Sequence, residues 1–348
     1  MAYISFQPND YFNTKLYTGN GSTQSITGVG FAPDMVWTKK RSATDFHAIN
    51  DKVRGALKIV FPNTNGAEDT SSGCLTSFDS DGFSLGSNSG FNANTATFAS
   101  WNWLANGQGS SNTDGSINTT YTSANTTSGF SISTYTGTGS NATVGHGLGV
   151  KPSMIICKRL NSTGSWITYH SSLGATKYLY LNATDASATN STVWQDTEPT
   201  TSVFSVGTAS NCNASGGTYI CYAFSEKQGF SKFSSFVGTG SSDGPFLYCG
   251  FKPAFIIIKN ADDGSKNWVM LDNKRPSTGQ NPADDILFPN TSGAESSSQT
   301  DRLVDFVSNG VKIRATSSQM NGSGNTHIFM AFAEEPLVSS NGIPATAR

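Results

Sequence analysis

Charge is scarce in this sequence. Asp, Glu, Lys and Arg make up 13% of its 348 residues and the formal net charge is −2, against about 25% charged residues in ordinary soluble domains. Lys and Arg are too dispersed to track a phosphate backbone, which argues against a nucleic-acid partner. The densest cationic group, Lys39-Lys40-Arg41, reads as a solvated strand end. No apolar run reaches the ~18 residues that a membrane-spanning helix needs, so membrane insertion is not expected. Residues 1–10 hold neither a basic nor a long apolar segment, so no signal peptide is expected. Cysteine is limited to Cys74, Cys157, Cys212, Cys221 and Cys249, an odd number with no CxxC. Cys157, Cys221 and Cys249 sit within apolar runs, so the expectation is free, core-packed thiols made in a reducing compartment, without a disulfide frame. Glu, Lys, Leu and Ala are too sparse for long amphipathic helices; a single helical turn at Asp51-Lys52-Val53-Arg54 is the exception.

Gly, Ser, Thr and Asn fill the space that charge leaves, and aromatics reach 11%. This composition lacks the signature of a disordered chain. One phrase recurs three times: Tyr17-Thr18-Gly19-Asn20-Gly21-Ser22, Tyr135-Thr136-Gly137-Thr138-Gly139-Ser140 and Phe236-Val237-Gly238-Thr239-Gly240-Ser241. Each copy is followed by a proline and an apolar run that ends in lysine. The prolines, Pro33, Pro152 and Pro253, lie 119 and 101 residues apart. Phe61-Pro62-Asn63-Thr64-Asn65-Gly66-Ala67-Glu68 returns as Phe288-Pro289-Asn290-Thr291-Ser292-Gly293-Ala294-Glu295, with an echo at Tyr180-Leu181-Asn182. Phe46, Trp166 and Trp268 align as one repeated position. Repetition at this period points to one structural unit used three times.

Within each copy the texture is β. Met154-Ile155-Ile156-Cys157 and Phe255-Ile256-Ile257-Ile258 have the length and branching of buried strands. Asp81-Gly82, Asn309-Gly310, Asp263-Gly264 and Gly216-Gly217 supply turns between them. The fold class read from this is all-β, with three tandem β-sandwich modules resembling jelly rolls. The boundaries are an extended lead-in over residues 1–10, a first module over 11–106, a Gly/Ser/Asn-rich linker over 107–128, a second module over 129–228, and a third over 229–348 with a C-terminal extension. The linker composition suits a flexible or turn-rich connection, which sets the first module apart from a rigidly joined second and third.

No residue set stands out for catalysis, cofactor or metal. His47, His146, His170 and His327 share no repeat position, and no Gly-x-Ser-x-Gly elbow accompanies them. Asp79-Ser80-Asp81-Gly82 and Asp262-Asp263-Gly264 have too few ligands for calcium and read as turns. Gly145-His146-Gly147-Leu148-Gly149 precedes a strand rather than a helix, unlike a phosphate loop. Trp37, Trp166 and Trp268 are expected in the core. Trp194 and Tyr121 fall outside the repeat frame and are the candidate ligand contacts, with a sugar the fitting ligand class.

The strings Gly30-Phe31-Ala32-Pro33-Asp34-Met35-Val36-Trp37, His146-Gly147-Leu148-Gly149-Val150-Lys151-Pro152 and Asp243-Gly244-Pro245-Phe246, with the ending Ala331-Phe332-Ala333-Glu334-Glu335-Pro336, resemble a repeat domain of tailed bacteriophages, marine ones especially. The resemblance implies a virion structural protein of the tail-fibre type, assembled in the host cytoplasm as a homotrimer with other virion proteins. It implies a non-enzymatic role: multivalent binding of host-surface glycan or protein. A capsid decoration or head-appendage subunit is the second reading, because the modules begin without a shaft or attachment domain. A polysaccharide depolymerase is the third.

Overall fold

The computed structural model describes residues 6–276, 279 and 281–335, with side chains through Ala333. The chain is all-β and its strand pairings are antiparallel. One sheet order occurs three times. Phe12–Thr18, Thr97–Trp103, Met35–Lys40 and Ala48–Asp51 lie side by side in the first third of the chain. Phe130–Thr136, Thr218–Phe224, Met154–Arg159 and Ile167–His170 do so in the second. Ser231–Val237, Thr326–Glu335, Lys252–Asn260 and Val269–Asp272 do so in the third. The middle sheet grows to seven strands by adding Tyr121–Asn125 at one edge and Lys177–Tyr180 and Ala188–Thr189 at the other.

The apolar runs are continuous because both faces of these strands are covered. Side chains alternate across a strand, so Met35 and Trp37 enter one core and Val36 another. Met154 and Ile156 separate from Ile155 and Cys157 in the same way, as do Phe255 and Ile257 from Ile256 and Ile258. One set from each third joins a single central cluster. The other set packs in its own third against a small outer sheet, for example Ile26, Phe83 and Leu85 in the first. The centre is tightly filled: the gap between Met35, Trp103, Ile156, Phe224 and Met330 is about 10 Å³, the limit for one water.

The repeated Tyr/Phe-x-Gly-x-Gly-Ser phrase has a physical reason. Each copy leads from a strand into a loop pinned by a buried asparagine. Asn92, Asn213 and Asn321 accept through Oδ1 from the backbone N–H of Asn20, Thr138 and Thr239 at 2.9, 2.8 and 2.7 Å. Their Nδ2 groups donate back to the carbonyls of Ser22, Ser140 and Ser241. The first glycine permits this approach. A Cβ on Gly137 would stand 2.5 Å from the Ala214 carbonyl oxygen, and on Gly19 or Gly238 it would press closer still on Ala93 or Gly322. The second glycine has positive φ (+73°, +76° and +71° at Gly21, Gly139 and Gly240), a region that side chains disfavour.

The thirds are joined in a closed ring. The loop after Phe61 docks on the second third, where Glu68 N–H donates to Leu160 O at 2.8 Å and Trp166 Nε1 donates to Phe61 O at 3.1 Å. The loop after Tyr180 docks on the third, where Ser187 N–H donates to Ala261 O at 2.8 Å and Trp268 Nε1 to Tyr180 O at 3.0 Å. The loop after Phe288 returns to the first, where Glu295 N–H donates to Arg41 O at 2.9 Å. There His47 takes the tryptophan's place, with Nε2 against the Phe288 carbonyl but no hydrogen bond of ordinary geometry.

Several expectations change here. The first third is not set apart, since its core is continuous with the others. Residues 107–128 are turn-rich rather than a flexible tether: they hold the strand Tyr121–Asn125, and Ser110 and Ile117 bridge to Thr122 and Val144. Their glycines serve close packing, because a Cβ on Gly115 would stand 2.5 Å from Thr143 O. The lead-in is not merely extended. Pro8–Asp10 form a 3-10 turn, and Phe6 packs on Phe230 at 5.5 Å. Asp51–Arg54 turn without forming a helix. Cys157 and Cys221 are a disulfide, brought to a Cα separation of 4.2 Å by their register on adjacent strands, while Cys74, Cys212 and Cys249 are free and buried. The repeat frame slips by one residue near Phe46. Pairing register aligns His47, not Phe46, with Trp166 and Trp268. The C-terminal extension after Glu335 lies outside the described residues.

Candidate functional site

Buried ionic clusters line two of the three seams. Arg54 Nε donates to Asp51 Oδ2 at 2.6 Å and Arg54 Nη1 to Glu68 at 3.2 Å. Arg275 repeats this with Asp272 at 2.6 Å and Glu295 at 2.8 Å. Arg41 of the first third also reaches Glu295 at 2.6 Å. Burial disfavours both guanidinium cations, but the adjacent carboxylates outweigh it and raise their pKa. Burial, and next the Asp51 charge, hold the Tyr222 hydroxyl well above its usual pKa, so it stays a donor. In the second third His170 stands where Asp51 and Asp272 stand, and its Nε2 faces Phe329 O at 3.2 Å. Enclosure makes these groups seam fasteners rather than a substrate site.

Lys39-Lys40-Arg41 is not a solvated strand end. Lys39 is fully buried, with its ammonium on the carbonyls of Lys40 and Ser292 at 2.7 and 3.4 Å. Lys259 repeats the arrangement on the carbonyls of Asn260 and Thr184, and Lys158 repeats its first contact, on Arg159 O. Burial lowers all three to a pKa of about 8.

The structure separates the two predicted ligand contacts. Trp194 is 2% exposed: Asn190 caps the short helix Ser191–Trp194, which turns the indole into the core against Tyr169 at 6.2 Å. It is thereby removed from the surface. Tyr121 is 37% exposed on the edge strand of the seven-stranded sheet. All four histidines are buried. Asp81 accepts from Gly28 and Gly30 N–H at 2.9 and 2.7 Å, and Asp263 from Ser265 N–H at 2.9 Å, so both carboxylates organise turns. Those backbone donors lower the pKa of each. Among the described residues no group of three or more His, Cys, Asp and Glu gathers to hold a metal.

An outer cleft of about 310 Å³ lies in the first third, lined by Asp45, Phe46, Phe61, Asp69, Ser71, Asn88, Gly90 and Phe91 among others. It lies just inside the lower bound of roughly 300 Å³ for small-ligand pockets. Phe46 is 48% exposed and leans on Phe61, with centroids 5.4 Å apart. Asp45 Oδ2 accepts from Lys40 Nζ at 2.7 Å, and its Oδ1 from Phe46 N–H at 2.9 Å. Asp69 is exposed. The slipped repeat frame hid Phe46 by giving it a core tryptophan's place. A signal for the correct register was available: His47 and Trp166 each precede by 16 residues the asparagine, Asn63 or Asn182, that accepts from their N–H.

A family described as Domain of unknown function (DUF7483) matches residues 7–336, a span that takes in all three inner sheets and not one repeat. No curated protein matches the chain. Among the described residues no helix is long and apolar enough to cross a membrane.

Proposed function

We propose that the chain, which belongs to this family, is a non-catalytic structural and adhesive subunit of a tailed-phage particle. It is built as three tandem jelly-roll-like β-sandwich modules closed about a common axis. The observation that carries this reading is the central cluster drawn from all three thirds. Positions facing that cluster repeat along the chain, whereas outer positions such as Phe46, Ser165 and Asn267 differ from one third to the next. A rigid block with varied outer loops suits display, where weak contacts gain strength by copy number. The polar, weakly charged composition and the resemblance to phage repeat domains support the same assignment.

The test is to locate the protein on the intact particle by cryo-electron microscopy, and to pre-incubate host cells with purified protein. Density at the tail and blocked adsorption fit the adhesive reading. Density on capsid faces with unaffected adsorption replaces it with a decoration subunit. The homotrimer expectation is tested by light scattering. A single-chain mass of 36.7 kDa assigns the threefold arrangement to one polypeptide.

A further inference from the structure

We propose that the Phe46 cleft binds the pyranose ring of an uncharged glycan. The inference rests on reading the chain as a non-catalytic binding protein, and it names the site and the ligand chemistry.

Three observations carry it. First, the cleft has an aromatic corner open to solvent. Phe46 is 48% exposed and is inclined 51° to Phe61. An aromatic face is electron-rich and attracts polarised C–H groups, which line the flat side of a pyranose. Second, carboxylates flank the corner, and carboxylate oxygens are strong acceptors for hydroxyl donors. Asp45 is paired with Lys40 at 2.7 Å, so among the lining residues the exposed Asp69 carries the unbalanced charge, which disfavours an anionic sugar. Third, the opening is specific to one third. Gly90 stands where the second and third thirds have Asn211 and Gln319, one residue after the first of each short helix. A Cβ on Gly90 would meet Asn88 Oδ1 at 3.1 Å and Asp45 Oδ1 at 3.5 Å. In the second third that place is filled, with Asn211 Oδ1 accepting from Ser165 N–H at 3.1 Å. The missing side chain leaves the Asp45 carboxylate partly open to the cleft, 28% exposed.

Ligand-observed NMR and calorimetry with methyl glucosides, galactosides and mannosides test this on the full chain. At least one is expected to bind with a millimolar dissociation constant. Phe46→Ala, at a half-exposed position, is expected to weaken it at least tenfold. Gly90→Gln, copying the third third, is expected to abolish it, and Ser165→Ala to leave it unchanged. The proposal is overturned if no pyranoside binds at tens of millimolar, if binding survives both cleft variants, if arginine amide binds more tightly than every sugar, or if a bound glycoside is hydrolysed. Failure here leaves the particle assignment intact, because that assignment is decided by location and adsorption. Conversely, sugar binding by the isolated chain stands wherever the protein resides.

Discussion

Tyr222 donates its hydroxyl proton to Oδ2 of Asp51 at 2.8 Å, across the seam between the second and first thirds. Trp101 Nε1 makes the matching contact to Asp272 at 3.0 Å, between the first and third. Both carboxylates also hold a buried arginine three residues on. The two seams are thus built alike from different donors, so their contributions can be compared by substitution.

Tyr222→Phe removes one donor from a buried carboxylate and is expected to cost about 1–3 kcal/mol. Asp272→Ala also uncouples Arg275 and is expected to cost about 3–5 kcal/mol. Chemical denaturation of the two variants checks both values. Equal, negligible losses would show that the seams do not hold the ring.

Gly137→Ala places a methyl group 2.5 Å from a backbone carbonyl, and overpacking of this kind is expected to cost about 1–3 kcal/mol. Gly66→Ala is the control. Its nearest neighbour would be Thr64 Oγ1 at 3.5 Å, so its effect should stay within about 0.5 kcal/mol of wild type. Thermal melts of the two variants separate the alternatives.

Burial first, partly opposed by the Phe329 carbonyl, lowers the His170 pKa to about 4. His47, His146 and His327 are lowered too, burial again the leading cause. As pH falls below 6.5 the unfolded chain takes up protons that the folded chain refuses, so stability declines between pH 6.5 and 4. His170 alone should account for a loss of about 3 kcal/mol across that window. Urea midpoints measured at pH 7, 5.5 and 4.5 test the slope, and His170→Gln should flatten it.

Cys157 and Cys221 close a loop with a sequence separation of 64. Replacing both by alanine should cost about 2–4 kcal/mol. Peptide mapping without reductant should recover the linked pair from native protein. Free thiols at both positions would remove the bond and restore the expectation of a reduced core.

Much of this was readable in the residues. The glycine phrase marked the strand-to-loop junctions because its constraints are local: a positive φ and a carbonyl that tolerates no Cβ. The apolar runs marked the inner strands for the same reason. The relation between the thirds was not readable, because both faces of those strands are apolar and nothing in Met154-Ile155-Ile156-Cys157 says which residue faces a neighbour. Lys39 looked solvated because charge normally is; its ammonium is instead held by the carbonyls of Lys40 and of Ser292, the latter some 250 positions away and beyond the reach of a local reading. Trp194 looked exposed because its repeat position is unshared, yet the Asn190 cap turns it inward. The Phe46 cleft depends on a side chain that is missing, at Gly90, and such an absence is legible only beside Asn211 and Gln319 in a correct alignment.

Phe12, on the first strand of the first inner sheet, stacks on Phe332 of the last strand at 5.2 Å. The aromatic surface of Phe12 and Trp103, which Phe255 covers in part, therefore stays incomplete until the strand Thr326–Glu335 has been made and Phe332 closes over it. Truncations that stop short of Phe332 should then be insoluble or chaperone-bound rather than partly functional.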